Sequence, residues 1–159
     1  MGRYTTGVTV VLSEDADGVA GMTVNSFASV SLNPLLVLVS LKRESRTLAT
    51  VRASGRMTIS VLGESQELVA RAFAGRKERF PSEHVARYLD GHVYARDALA
   101  WLRCSTHSII ALGDHDVVVG QVEDLWLGSG DPLVFHGGSF FELGREPAAP
   151  RLAARPAAE

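Results

Sequence analysis

Hydroxyls and amides crowd one short stretch of this 159-residue chain, where Thr23, Asn25, Ser26, Ser29 and Ser31 fall between Met22 and Leu32. Such groups donate and accept hydrogen bonds, which suits them to bind and orient a ligand. Asn25 offers both a donor and an acceptor. An apolar run, Leu35 to Leu41, follows, and then Ser45-Arg46-Thr47 at the start of a helical pattern. A serine at a helix start caps it, and the amides behind it suit a phosphate. A ribbon of small polar groups, a buried strand and an anion site in that order fit a flat, polar-edged cofactor with a phosphate tail. A second feature is His136-Gly137-Gly138-Ser139, where two glycines after a histidine allow a turn that a ligand can approach closely.

Other chemistries lack their residues. No Gly-x-Gly-x-x-Gly, Walker loop, Cys-x-x-Cys or His-Glu-x-x-His occurs, and no Gly-x-Ser-x-Gly elbow. The five histidines are scattered, which argues against a metal centre. The one cysteine, Cys104, cannot form an intrachain disulfide, so a reducing cytoplasm is the default location. Cys104 lies in an alternating strand pattern with nothing nearby in sequence to lower its pKa, and reads as a packing residue. A formal charge of −2 gives no bulk attraction for nucleic acid or an anionic membrane. No apolar run is long enough to span a bilayer, and no signal peptide opens the chain.

The elements that must position these residues are mostly strands. Tyr4 to Leu12 alternates, with Val8, Val10 and Leu12 on one face. Asp15-Ala16-Asp17-Gly18 is a turn, and Val19 to Ser26 returns as a hairpin partner. Asn33-Pro34 forces a second turn. Leu35 to Leu41 reads as a strand buried on both faces. Leu48 to Ala53 is a short helix stopped by Gly55. Met57 to Leu62 is a strand. Ser65 to Ala74 is amphipathic, with Leu68, Val69, Ala72 and Phe73 on one face and Gly75 past its end. Arg76 to Asp97 is charged, contains Pro81, and reads as an irregular, mobile excursion. Leu99 to Leu112, Asp116 to Leu127 and Pro132 to Leu143 read as three further strands, separated by turns at Gly113-Asp114 and at residues 128–131. Many strands with two or three short helices predict a mainly β, closed or half-closed antiparallel barrel. One domain, 1–143, is expected, with a disordered Pro/Ala-rich tail over 144–159.

Five motifs in one order resemble a known family. They are Thr6-Gly7-Val8-Thr9-Val10-Val11, Gly21-Met22-Thr23-Val24-Asn25-Ser26-Phe27, Ser29-Val30-Ser31-Leu32, Leu41 with Ser45-Arg46-Thr47, and the pair Gly113-Asp114-His115 and His136-Gly137-Gly138. Together they are similar to the flavin reductase domain of two-component monooxygenase systems, from about Tyr4 to Leu143. The resemblance implies an FMN-binding split β-barrel that passes a hydride from NADH or NADPH to FMN or FAD. The reduced flavin would then reach a partner monooxygenase by diffusion. It implies a homodimer with flavin sites near the subunit interface. It places Thr23, Val24, Asn25 and Ser26 along the flavin ring and ribityl chain, with Ser40 and Leu41 beside the ring. Ser45, Arg46 and Thr47 would meet the phosphate, although Ser45 and Thr47 also read as plain helix caps and Arg46 can simply face solvent. Ser60, in the strand that closes over the cofactor, and Phe80, after the Lys77-Glu78-Arg79 charges, complete the flavin set. Many relatives carry Asn where Ser60 stands. His136, Gly137 and Gly138 would border the nicotinamide, with His136 orienting it. Gly113-Asp114-His115 is expected to be a tight turn without chemistry. Relatives carry a helix ahead of the Thr-Gly-Val strand; here that helix is expected to be absent or very short.

Two alternatives stand beside this reading. One is a split-barrel oxidoreductase with tightly bound FMN and its own substrate, for which the Ser45/Thr47 site is poor in Arg and Lys. The other is a flavin-binding electron carrier without a nicotinamide site, which would not require His136-Gly137-Gly138. FMN against FAD is undecided by the residues. With no arginine cluster to receive a 2′-phosphate, NADH is favoured over NADPH.

Overall fold

A computed structural model describes residues 2–75 and 80–144. The chain begins with a turn over residues 2–4 and reaches β1 (Thr6–Gly7) at once. A hairpin follows, β2 (Thr9–Asp15) and β3 (Gly18–Val24). Next come β4 (Ala28–Leu32) and β5 (Leu35–Lys42), joined at Asn33-Pro34. The helix α1 (Arg46–Ser54) leads to β6 (Arg56–Val61), and a 3-10 turn over Glu64–Gln66 runs into α2 (Glu67–Phe73). A small hairpin, β7 (Val85–Arg87) and β8 (Val93–Ala95), precedes two long strands, β9 (Ala100–Leu112) and β10 (His115–Leu127). The described chain ends with the hairpin β11 (Val134–His136) and β12 (Ser139–Phe141).

Seven strands form one antiparallel sheet in the order β3-β2-β6-β9-β10-β5-β4. A second sheet, β1-β11-β12, carries the His136 turn, and β7-β8 stands as a pair. The ladder between β9 and β10 shifts register at Val119/Gly120 and Val122/Asp124. Such bulges bend and twist long strands, so the sheet curls. The bend after β3 is held against β5 where the Ser26 hydroxyl bonds the backbone of Ser40, in continuation of the β4–β5 register. The result is the mainly β, half-closed barrel that the strand pattern predicts.

Two apolar clusters share β2. Val11 points into the barrel with Val37, Val39, Leu41, Ile59, Val118 and Cys104, and α1 plugs that interior with Leu48 and Val51. Val8, Val10 and Leu12 point the other way, onto Ala70 and Phe73 of α2 and Val93 and Ala95 of β8. The strand buried on both faces is therefore β2, whose residues Thr9 to Leu12 are all buried. This corrects the expectation for Leu35 to Leu41. In β5 only Val37, Val39 and Leu41 are fully buried, and Leu36, Leu38 and Ser40 face out half-covered. A hydrophobic run marks burial, but two-sided burial also needs an element on each side, and in this chain β2 has both.

Three further expectations differ from the structure. In α2 the buried side is Gln66, Ala70 and Phe73, while Leu68 is 76 % exposed. The 3-10 turn resets the helical phase, so a face drawn from Ser65 onward is rotated. The charged excursion is in part regular, with a 3-10 turn at Ser82–His84 and the β7–β8 hairpin. Residues 76–79 and 145–159, including most of the expected tail, lie outside the described residues. The last predicted strand is a hairpin, because Gly137 at φ 60° and Gly138 at φ 89° turn the chain between Phe135 and Phe140.

Candidate functional site

The helix start is built by short local bonds. The Ser45 amide donates to the Lys42 carbonyl at 2.9 Å, closing the turn out of β5. Ser45 is the N-cap of α1: its Oγ accepts the Leu48 amide at 3.2 Å and its carbonyl accepts the Ala49 amide at 3.2 Å. The Arg46 and Thr47 amides have no acceptor within the helix, as at any helix start. No acidic side chain occupies the first turn. An N-terminus with its dipole uncompensated by carboxylates suits an anion. Thr47 is buried, and the exposed Arg46 donates to the Asp17 carbonyl at 2.8 Å, which pins the helix start to the β2–β3 turn.

The bend between β3 and β4 is tied to β5, the strand that leads into this helix, at Ser40. Thr23 donates its hydroxyl to the Ala70 carbonyl of α2 at 2.7 Å. Val24 is buried, and its carbonyl accepts the Thr9 hydroxyl at 3.0 Å. Asn25 is exposed. Ser26 Oγ accepts the Ser40 amide at 2.9 Å and donates to the Ser40 carbonyl at 3.1 Å. Leu41 is wholly buried in the barrel core. The Thr23 and Ser26 hydroxyls are thus engaged in holding the bend, and Asn25 is the polar side chain it turns outward.

The third part is the β11–β12 hairpin. His136 Nδ1 shares a hydrogen bond of 2.9 Å with the Thr5 hydroxyl, and the Gly137 amide donates to the Gly2 carbonyl at 2.9 Å. The segment ahead of β1 therefore straps this turn in place. Phe135 and Phe140 pack at 5.3 Å between ring centroids, and the Arg71 guanidinium of α2 lies 5.0 Å above the Phe140 ring.

The helix α2 joins these parts. Ala70 receives Thr23, Phe73 meets Phe80 edge-on at 5.8 Å, and Arg71 covers Phe140. The structure thus links Thr23, Asn25, Ser26, Ser40, Ser45 and Thr47 along one continuous path, with Phe80 and His136 attached through α2. Ser60 stands apart. It is fully buried, and its hydroxyl accepts the Ala95 amide of β8 at 3.0 Å. Two clefts, of about 560 and 240 Å³, lie by the β2–β3 turn and under the β7–β8 turn, and neither is lined by any of these residues.

One group in this neighbourhood escaped the sequence reading. Asp116 of β10 is 1 % exposed, and its carboxylate takes Arg43 Nε on Oδ1 at 3.1 Å and the Arg52 guanidinium on Oδ2. The bond from Arg52, with those from Arg43, holds its carboxyl below the ordinary range, against the opposing effect of burial. The available signal was a carboxylate at the head of Val117-Val118-Val119, in a strand that otherwise reads as buried. Cys104 is wholly buried, and burial pushes its thiol up to about 12, which fits packing and not nucleophilic use. Among the described residues no group of three or more His, Cys, Asp or Glu side chains could hold a metal ion, and no helix is long and apolar enough to cross a membrane.

Comparison with known proteins adds relatives to this geometry. The family model described as "Flavin reductase like domain" matches residues 1–144. An NADH-dependent flavin reductase of a Rhodococcus species is 41 % identical over 151 residues, covering 90 % of this chain and 82 % of the relative. The reductase component of 4-hydroxyphenylacetate 3-monooxygenase of Thermus thermophilus is 40 % identical over 136 residues, covering 85 % and 87 %. Among solved structures, the NADH:FAD oxidoreductase of Streptomyces globisporus, in complex with NAD and FAD fragments, superposes with a TM-score of 0.84 at 32 % identity, covering 90 % of this chain and 88 % of that one.

Proposed function

This chain belongs to the flavin reductase-like domain family, and from that premise we propose that it is an NADH:flavin oxidoreductase whose reduced FMN or FAD serves a partner monooxygenase. The observation that carries the reading is the continuity of an anion-suited α1 start with the β3–β4 bend through Ser26 and Ser40. A flavin phosphate fits the Arg46 and Thr47 amides behind the Ser45 cap. The outward amide of Asn25 fits the mixed donor and acceptor edge of a pyrimidine ring.

The flavin, when bound, is the acceptor of the hydride that NADH supplies; the protein contributes placement. Ser45 and Thr47 hold the phosphate end. Thr23, Val24 and Ser26 act through the backbone they fix, because their side chains serve the fold. Leu41 supports the site from the core. Phe80, packed edge-on against Phe73 of α2, closes one side. His136, oriented by Thr5, with Gly137 and Gly138 at its back, borders the nicotinamide and sets its approach. Ser60 contributes through β8, which it anchors, and Arg46 through its hold on the β2–β3 turn. No acid–base pair is required, since the transferred group is a hydride between two cofactors. A few neutral contacts suit a flavin that must leave after each turnover.

A second copy of the chain completes this proposal. Ser40 shares a sheet face with Leu36, Leu38, Val117 and Val119, and with Ile110 and Leu112, which are 49 % and 56 % exposed. An apolar face of this kind beside the candidate site fits a homodimer interface.

The test is NADH oxidation by the purified protein with and without added FMN or FAD. Turnover that requires free flavin and runs far past one equivalent is the expected result. A tightly held yellow cofactor without NADH oxidation would replace this reading with that of a carrier.

A further inference from the structure

We propose that Asp116 is a positioning residue for the phosphate end of the flavin, acting through the charged bracket Arg43–Asp116–Arg52. The inference rests on the reading of the Ser45–Thr47 turn as the phosphate site.

The phosphate turn is a short connection, Lys42 to Ser45, between a core strand and a helix. Its hydrogen bonds on the β5 side are few: Ser45 to Lys42, and the Arg43 amide to the Asp114 carbonyl at 3.0 Å. Asp116 fixes it from below. One carboxylate oxygen holds Arg43, which is in the turn itself; the other holds Arg52, in the last turn of α1. The two arginines are about half exposed, whereas the carboxylate is 1 % exposed. Buried charge of this kind is retained only when well paired, and a planar guanidinium bound through Nε has little freedom to swing. A single carboxylate on β10 therefore locks the start of the turn to the far end of the helix. The register places Asp116 opposite Leu41, so the bracket originates on the core side of the strand that delivers the turn.

Direct contact of Asp116 with a phosphate is excluded by its sign and burial. Its effect must be geometric: it keeps the Arg46 and Thr47 amides and the Ser45 cap in one orientation by tying Arg43, in the turn, and Arg52, at the far end of α1, to one carboxylate. Asparagine at this position keeps the shape but leaves two guanidiniums without their counter-charge. The turn would then sample other arrangements, and a ligand that uses the turn would lose affinity. A ligand without a phosphate would lose nothing.

Riboflavin and FMN differ by that phosphate alone. Steady-state NADH oxidation is measured with each flavin for the wild-type protein, Asp116→Asn and Arg43→Lys. Arg43→Lys keeps the charge, loses the Nε fork and alters a half-exposed side chain, so it remains informative should Asp116→Asn fold poorly. Both variants are expected to raise KM for FMN by roughly three- to tenfold, to leave KM for riboflavin unchanged and to keep kcat within about twofold. Equal changes with the two flavins would reduce Asp116 to general stability and overturn the proposal. So would a lower KM for FMN in Asp116→Asn, which would mean that freed positive charge outweighs geometry, or a wild-type protein that does not distinguish the two flavins. A wild-type protein inert toward NADH with both flavins overturns the parent reading and this one together.

Discussion

Ser26 and Ser40 exchange two hydrogen bonds through a single hydroxyl, which accepts the Ser40 amide at 2.9 Å and donates to the Ser40 carbonyl at 3.1 Å. In this way one side chain carries the β4–β5 pairing, which runs Ala28 opposite Leu38, on into the bend that precedes β4. The bonds fix the β3–β4 bend against β5 at the point where the flavin site is proposed, so stability and binding are coupled there.

Ser26→Ala removes both bonds and leaves a half-buried amide without its partner. The cost is expected to be about 1–3 kcal/mol of unfolding free energy. Chemical denaturation measures it. The KM for flavin should rise in the same variant, because the bend that carries Asn25 is released.

Gly21 is required for contact, not for conformation. A Cβ there would stand 2.5 Å from Leu12 Cδ2 and 3.0 Å from the Phe73 ring. Gly21→Ala must displace the Leu12 side chain of β2 and crowd the Phe73 ring of α2, at a cost of roughly 1–3 kcal/mol. Since α2 links Thr23, Phe80 and the His136 hairpin, NADH turnover should fall along with the midpoint of thermal unfolding.

Thr5 and His136 give a prediction on the nicotinamide side. The Thr5 hydroxyl bonded to Nδ1 fixes the plane of the imidazole, whichever atom carries the proton. Thr5→Val removes that constraint at an exposed position, so folding should be preserved. KM for NADH is expected to rise by roughly two- to fivefold with KM for flavin unchanged, as for loss of one neutral hydrogen bond. A change in flavin KM alone would move His136 to the flavin side of the site.

Much of this arrangement can be read in the residues, and the misses have physical causes. Ser45 and Gly55 mark the ends of α1 through local geometry, an extended cap and a left-handed stop at φ 67°. Local signals of this kind survive folding. The two-sided burial of β2 is not legible in its own residues because it depends on α2 and β8, which arrive from far along the chain. Thr23 and Ser26 were legible as important, but their partners, Ala70 and Ser40, lie 47 and 14 residues away. Their types alone could not say whether a hydroxyl meets a ligand or the fold. Asp116 was the opposite case. Its type was conspicuous in an apolar strand, but its meaning required Arg43 and Arg52 to converge from 73 and 64 residues away.

Cys104 should be inert to thiol reagents in the folded protein. Its side chain is wholly buried between Met57 and the barrel core, and its thiol is pushed up to about 12 by burial. At pH 8 a disulfide reagent should label no thiol in the native state and one in denaturant. Fast native labelling would mean that β9 opens locally at this position.

Acid should unlock the Asp116 bracket. The carboxyl is held below its ordinary value in the folded chain, chiefly by the bond from Arg52. A group whose pKa is depressed on folding contributes stability that is complete above its unfolded value, about 3.9, and that fades as pH falls toward the folded one. Stability should therefore decline as pH drops below about 4. Asp114, held down mainly by His115, and Glu14, held down mainly by Arg87, contribute with the same sign. Asp116→Asn has no such proton to gain, so its unfolding free energy should be lower near neutrality and should fall less steeply in acid. Denaturation curves for the two proteins across that range measure the difference. Parallel pH dependences would show that the bracket is not formed in solution, and would remove the physical basis for assigning Asp116 a role at the phosphate turn.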